Sequence, residues 1–86
     1  MASTNWQTIF GELATARWDG SAHVLVAVNG GAEVIAFAAA TDPGPLAGQD
    51  DGSGRWWLTY ADPATNLPVR YYNDDSGHST PWTLLL

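Results

Sequence analysis

The 86-residue sequence contains no cysteine and no lysine, and only 14% of its residues are charged. Without cysteine, neither disulfides nor thiolate metal sites can support the thin core of so small a domain, so self-association is the support that we expect. No apolar run approaches the roughly 18 residues of a membrane span, and the first five residues lack the basic start of a signal peptide. We therefore expect no membrane insertion, whereas the compartment stays undetermined.

The charges that are present are mostly negative. Seven Asp and two Glu outweigh three Arg, and the net charge is -6. A nucleic-acid-binding protein needs a cationic surface, and so does a protein that binds acidic membranes. The composition therefore argues against both classes of partner. The length predicts a single domain over residues 1–86.

The first eighteen residues allow two interpretations. Trp6, Ile9, Phe10, Leu13 and Arg17 have helical spacing. The favoured alternative places strands at residues 6–10 and 13–18 around a turn at Gly11 and Glu12, because a glycine in the middle of a helix is unfavourable by about 1 kcal/mol relative to alanine.

Hairpin signals follow along the chain. Asp19 and Gly20 predict a tight turn, and Asn29, Gly30 and Gly31 predict another, between strands at residues 22–28 and about 32–39. Both of these strands are nearly continuously apolar, so we expect both faces of this hairpin to be covered.

The second half begins with a polar stretch at residues 41–54, which predicts a loop of about fourteen residues. A second hairpin is predicted between residues 55–61 and 67–73. Pro68 has no backbone N–H, so its strand should begin there or lie at an edge. Residues 81–86 predict a short apolar strand that docks in a sheet of this chain or of a neighbour.

These elements predict a mainly antiparallel all-β fold of five to seven short strands. It could be a small barrel, a sandwich, or propeller blades completed by oligomerisation, with a short N-terminal helix as the alternative for the first residues.

Residues 6–34 also carry a family resemblance. The segments WQTIFGEL, ATARWDG, HVLVAV and NGGAEV resemble one blade of a lectin-type β-propeller of the tectonin-like group. The resemblance implies sugar binding. It also implies that Trp82, which echoes Trp6, begins another repeat, so that a second copy could complete a blade. The later half departs from this pattern, since Trp57 lies 51 residues after Trp6.

Catalytic and metal-binding patterns are weak. The adjacent pairs Asp50 with Asp51 and Asp74 with Asp75 lie in Gly/Ser-rich turns, where Asx turns are favoured over a calcium site. His78 lies between Ser76 and Ser79, but residues so close in sequence rarely form a catalytic triad. We expect no enzyme activity, no metal and no cofactor, and a small hydrolase is the least favoured alternative.

Sugar binding is the favoured function. A pyranose ring stacks its CH face on an aromatic ring, while its hydroxyls bond to Arg, Asp or Asn. Strand alternation mixes Arg with aromatic side chains on one face of each strand of the second hairpin. The candidate ligand-binding residues are Trp18, Asp19, Arg55, Trp56, Trp57, Arg70, Tyr72 and Asp74. The alternative is a structural or protein-interaction subunit of a homo-oligomer, in which the same aromatic residues fill the core.

Overall fold

The computed structural model describes residues 7–9, 14–78 and 81–85, and these residues form eight strands. The strands are β1 (Gln7–Ile9), β2 (Ala14–Trp18), β3 (His23–Val28), β4 (Val34–Ala38), β5 (Ala47–Asp50), β6 (Trp56–Ala61), β7 (Pro68–Asn73) and β8 (Thr83–Leu84). In chain order, β1–β4 form one antiparallel sheet, sheet A, and β5–β8 form a second, sheet B. The predicted all-β antiparallel class is confirmed. Within these described ranges, no helix is long and apolar enough to cross a bilayer.

The predicted hairpin turns lie where glycine and asparagine allow them. Asn29 and Gly30 have φ angles of 51° and 72°, the positive values that a tight turn at these two positions requires, and this turn opens the connection of residues 29–33 between β3 and β4. The N–H of Gly31 donates to the carbonyl of Val28 at 2.9 Å and closes this turn. Strand β7 begins at Pro68, as predicted from its missing N–H.

Three predictions about strand content are corrected. The described residues form eight strands and not the predicted five to seven. The helical interpretation of the first segment is wrong where the structure describes it, because Gln7 pairs with Ala16 in an antiparallel ladder. The proposed turn at Gly11 and Glu12 lies outside the described residues. The predicted loop over residues 41–54 contains strand β5, whose Gly48 pairs with Leu58. Its sequence, AGQD, has low β propensity, so its pairing with β6 and not a local preference makes it a strand.

The core lies between the inner faces of the two sheets. Sheet A contributes mainly small and branched side chains together with the Phe37 ring, whereas sheet B contributes larger side chains; the buried residues include Ala16, Val24, Val26, Phe37, Trp56, Leu58 and Trp82. The ring of Phe37 stacks on Tyr71 of the opposite sheet, with 3.8 Å between ring centroids. The backbone N–H of Trp82 donates to the backbone carbonyl of Ala36 at 2.7 Å. The two sheets therefore form the layers of one core.

The outer faces are only partly covered. Strands β3 and β4 bury Val24 and Phe37 inward, but Leu25 on the outer face is half-buried and Ile35 is 47% exposed. The prediction that both faces of this hairpin are covered is therefore not met within one chain. The C-terminal segment does dock, since Leu84 pairs with Tyr71. This confirms the predicted closing strand.

Candidate functional site

The alternation of β6 separates a core face from an outward face. Trp56 and Leu58 point into the core and are 4% and 0% exposed. Trp57, between them, therefore lies on the outer face. Partners in an antiparallel ladder share a face, and Trp57 pairs with Tyr72. We call the outward set Arg55, Trp57, Arg70, Tyr72 and Asp74 the arginine–aromatic cluster.

Two rings and two guanidinium groups meet in this cluster. The rings of Trp57 and Tyr72 have centroids 5.4 Å apart, with their planes tilted by 52°. Arg55 Cζ lies 4.3 Å from the Tyr72 ring centroid, and Arg70 Cζ lies 4.4 Å from the Trp57 ring centroid. Both rings remain partly exposed. A cation–π contact consumes none of the five N–H donors of a guanidinium, so the cluster presents aromatic surface and hydrogen-bond donors together.

Arg55 is also held by a forked ion pair. Its Nε donates to Asp74 Oδ1 at 2.6 Å, and its Nη2 donates to Asp74 Oδ2 at 3.3 Å. The hydrogen bond to Asp74 raises the pKa of Arg55. The side chains are 38% and 61% exposed. An exposed ion pair contributes little to stability, because solvent and salt screen it. The fixed orientation of its donors and acceptors therefore matters more for recognition than for folding.

A hollow adjoins the cluster on the side of Tyr72. It has a volume of about 440 Å³ and is lined by Tyr72, Asn73, Asp74, Asp75, Pro81 and Thr83. Thr83 reaches it because β8 pairs Thr83 with Tyr72. On the other side of the cluster, Gln49 of β5 pairs with Trp57. Sequence reasoning missed both residues. Alternation in the predicted closing strand could have indicated Thr83, whereas nothing in AGQD indicated Gln49.

A buried asparagine fixes the backbone beside the hollow. Asn73 is 4% exposed, and its Oδ1 accepts hydrogen bonds from the N–H groups of Asp75 and Gly77, both at 2.9 Å. Buried polar groups are costly unless they are paired, so these bonds specify one conformation of the turn. Asp74 therefore leaves the strand in a defined direction, toward Arg55.

Three candidates from the sequence lie elsewhere. Trp56 is in the core, because its alternation with Trp57 turns it toward sheet A. Trp18 is on sheet A, where its indole N–H donates to the carbonyl of Ala39 at 2.9 Å and its ring packs against the core. Asp19 accepts backbone N–H groups through Oδ1, from Ser21 and Ala22 at 2.8 Å and from His23 at 3.1 Å. The sequence could not separate such residues from the cluster, because it does not show where the opposite sheet lies.

Asp19 gives a testable pH dependence of stability. The three backbone hydrogen bonds, led by the one from Ala22, hold the pKa of this carboxyl well below its ordinary value of 3.8. A carboxyl whose pKa is lower in the folded state than in the unfolded state stabilises the protein at pH values above its unfolded-state pKa. This stabilisation is lost as the pH falls through the folded-state pKa. We expect Asp19→Asn to unfold at a lower urea midpoint than the wild type at neutral pH. The difference between the two midpoints is expected to narrow below pH 3.8.

Asp42→Asn is the matched control for Asp19, since among the described residues Asp42 Oδ1 accepts one such bond, from Gly44 N–H at 2.9 Å. We expect a smaller loss of stability in this variant. A difference in urea midpoint between wild type and Asp19→Asn that stays constant with pH would contradict the lowered pKa assigned to Asp19.

Asp50 and Asp51 serve as turn formers. Asp50 Oδ1 accepts the N–H of Gly52 at 2.8 Å, and Asp51 Oδ1 accepts the N–H of Ser53 at 2.9 Å. The Asx turns favoured at this pair are confirmed. In the described ranges, no group of three or more His, Asp or Glu is placed to hold a metal ion. His78 Nδ1 lies 2.9 Å from the carbonyl of Asp75.

Two smaller hollows lie away from the cluster. One, of about 270 Å³, is lined by Ala38–Thr41, Tyr60 and Asp62–Ala64. The Tyr60 ring there is already stacked with Phe37. Another, of about 150 Å³, is mostly apolar and has His78 in its lining. No arginine lines any of these three hollows, but the 440 Å³ hollow shares Tyr72 and Asp74 with the arginine–aromatic cluster. The cluster is therefore the better candidate for a binding site.

Comparisons with protein-family models, curated proteins and solved structures found no match for this chain.

Proposed function

We propose that the protein is a non-enzymatic carbohydrate-binding protein, and that its ligand binds at the arginine–aromatic cluster. The observation that carries the proposal is the outward pair of Trp57 and Tyr72, partly exposed, beside the forked ion pair of Arg55 with Asp74. The 440 Å³ hollow adjoins both Tyr72 and Asp74. Aromatic surface, a fixed donor and acceptor, and a concave space lie together.

This combination suits the chemistry of a pyranose ring. The apolar CH face of the sugar packs on the exposed parts of the rings, as other aliphatic groups do on aromatic side chains. Neighbouring sugar hydroxyls donate to Asp74 and accept from Arg55, because a carboxylate only accepts and a guanidinium only donates. The ion pair already orients both groups, so binding requires little further ordering of side chains.

Self-association is part of the proposal. A single shallow sugar site binds weakly, and repeated copies raise avidity by orders of magnitude. Each sheet is a four-stranded antiparallel meander, a topology that propeller blades also have. The partly exposed outer face of sheet A, with Ile35, is available to a second copy.

The proposal is tested by titrating monosaccharides against the protein and following ligand-observed NMR signals and tryptophan fluorescence. We expect at least one sugar to bind with a Kd on the order of 1 mM, as few contacts offset the cost of ordering. Trp57→Ala removes the stacking surface and Asp74→Asn removes the carboxylate. Each is expected to weaken binding by about tenfold, equivalent to about 1.4 kcal/mol.

Arg17→Gln is the control for the sugar titrations. Arg17 forms a similar forked pair on sheet A, with Nε 2.8 Å from Glu33 Oε2; this pair is less exposed than that of Arg55 with Asp74 and lies outside the cluster. This variant is expected to bind sugar like the wild type. Equal losses in Arg17→Gln and Asp74→Asn would remove the cluster as the site, and no binding to any sugar of a broad panel would end the proposal.

A second candidate function is a protein-interaction subunit, and exposed apolar side chains favour it. Leu67 is 63% exposed, and Leu84 and Leu85 are 40% and 43% exposed. Such groups are commoner at contact surfaces than on a fully solvated monomer. Light scattering on the samples from the sugar titrations measures the size of the assembly and separates the two candidate functions. An assembly that is indifferent to every sugar supports the second function, and an assembly that binds sugar supports the first.

A further inference from the structure

The few cations of this chain are unevenly distributed. The sequence has three Arg and no Lys, and its net charge is -6. Two of the three, Arg55 and Arg70, lie on the same outer face of sheet B. Their Cζ atoms are 5.6 Å and 4.4 Å from the centroid of the Trp57 ring. An acidic protein thus concentrates most of its positive charge around one indole.

The two guanidinium groups differ in what neutralises them. Arg55 is paired with Asp74, and the third arginine of the chain, Arg17, is paired with Glu33. Arg70 is exposed, and among residues 14–78 and 81–85 no carboxylate lies within 4.0 Å of it. Its contact with Trp57 orients the group but does not cancel its charge. Arg70 therefore remains able to accept an anionic partner.

The residues around Arg70 and those around Arg55 also differ in charge. Arg70 pairs with Thr59, which in turn pairs with Ala47, and the carbonyl of Arg70 accepts the N–H of Leu85 at 2.9 Å. These neighbours are all neutral. The acidic residues gather at the other end of the cluster, where Asp74 and Asp75 line the hollow and the N–H of Asp51 donates to the carbonyl of Arg55. The cluster is thus polarised, with acids at its Arg55 end and, among the described residues, a cation without an ion pair at its Arg70 end.

We propose that the ligand of the cluster is a sugar that bears a carboxylate, such as a uronic acid, and that Arg70 binds this carboxylate. The inference rests on the proposed carbohydrate-binding function. Two N–H groups of a guanidinium match the two oxygens of a carboxylate, and packing of Arg70 against Trp57 restricts the guanidinium before the ligand arrives. The hydroxyls of the same sugar bind at the Arg55 end, where Asp74 accepts and Arg55 donates.

The negative net charge does not oppose this assignment. At about 0.15 M ionic strength, charges separated by more than about 8 Å through solvent are largely screened. The guanidinium in direct contact with the ligand therefore outweighs the aspartates outside the cluster, and Asp74 inside it is already paired with Arg55. Contact between opposite charges is also stronger than a neutral hydrogen bond, by roughly a factor of two.

The experiment compares matched sugars that differ in one group, glucose with glucuronate and galactose with galacturonate, by NMR titration against the full chain. In the wild type we expect the acid of at least one pair to bind about tenfold more tightly than its neutral partner, because a hydrogen bond to a charged group is the stronger kind. In Arg70→Gln, the ratio of the Kd of the neutral sugar to the Kd of the matching acid is expected to fall to about one. The methyl ester of the same uronic acid is expected to lose the preference in the wild type.

Arg17→Gln is again the control, and here it is expected to keep the wild-type ratio. If the wild type binds acids and neutral sugars equally, the acidic-ligand inference is overturned while the carbohydrate function stands. If neither member of any pair binds, and no other sugar does, the carbohydrate function itself fails. A preference for the acid that persists in Arg70→Gln would overturn the role of Arg70.

Discussion

Leu58→Ala is expected to lower the free energy of unfolding by about 2–5 kcal/mol. Leu58 is fully buried at the centre of sheet B and is among the largest side chains with no exposed surface. Truncation removes apolar contacts and leaves a cavity that the surrounding β ladder can only partly fill. Small domains have a total stability of about 5–15 kcal/mol, so this single change removes a large share of it. Urea unfolding followed by tryptophan fluorescence measures the loss.

Leu67→Ala provides the matched control for this truncation, since it removes the same atoms from a side chain that is 63% exposed. We expect its stability to lie within about 0.5 kcal/mol of the wild type. Similar losses in the two variants would show that Leu58 is not at the centre of the core. The two-sheet packing would then need revision.

Local signals in the sequence were enough to predict much of the strand pattern. The Asn29-Gly30 turn was predicted because both positions need a positive φ, and the structure has this conformation at both. The start of β7 was predicted because Pro68 cannot donate to a ladder. In both cases the cause lies within a few residues of the effect.

Strand β5 could not be predicted, because its cause is not local. Ala47–Asp50 has neither alternation nor branched side chains, and it becomes a strand by pairing with Trp56–Thr59 of β6. The same limit explains why Gln49 was missed beside the cluster. An edge strand of this kind depends on its neighbour's exposed hydrogen-bonding groups more than on its own composition.

The candidate site was predicted only in part, for a related reason. Alternation places Trp56 and Trp57 on opposite faces of β6, but it does not say which face meets another sheet. Only the packing of β6 against sheet A shows that Trp56 is core and Trp57 is outward. The pairing of Arg55 with Asp74, nineteen residues apart, likewise depends on the register of the hairpin.

The turn at residues 73–77 links the core to the proposed site, and Gly77 is its tightest point. Gly77 has a φ of 82°, and a Cβ added there would lie 2.9 Å from two ring atoms of Trp56 and 3.0 Å from Cγ2 of Val28. Gly77→Ala is therefore expected to lose about 1–2 kcal/mol through its left-handed conformation. Overpacking against the two core side chains is expected to remove a further 1–3 kcal/mol or so. Urea unfolding measures the sum.

Gly30→Ala separates these two contributions to the Gly77→Ala loss. Gly30 also has a positive φ, of 72°, but nothing lies within 4 Å of an added Cβ. It should therefore show the conformational loss alone, and Gly77→Ala should exceed it by about 1–3 kcal/mol. Because the same turn carries Asp74 and Asp75, Gly77→Ala should also weaken binding of any sugar that fits the hollow. Equal losses of stability in the two variants would mean that the Trp56 ring can move aside freely, and the turn would then not be braced by the core.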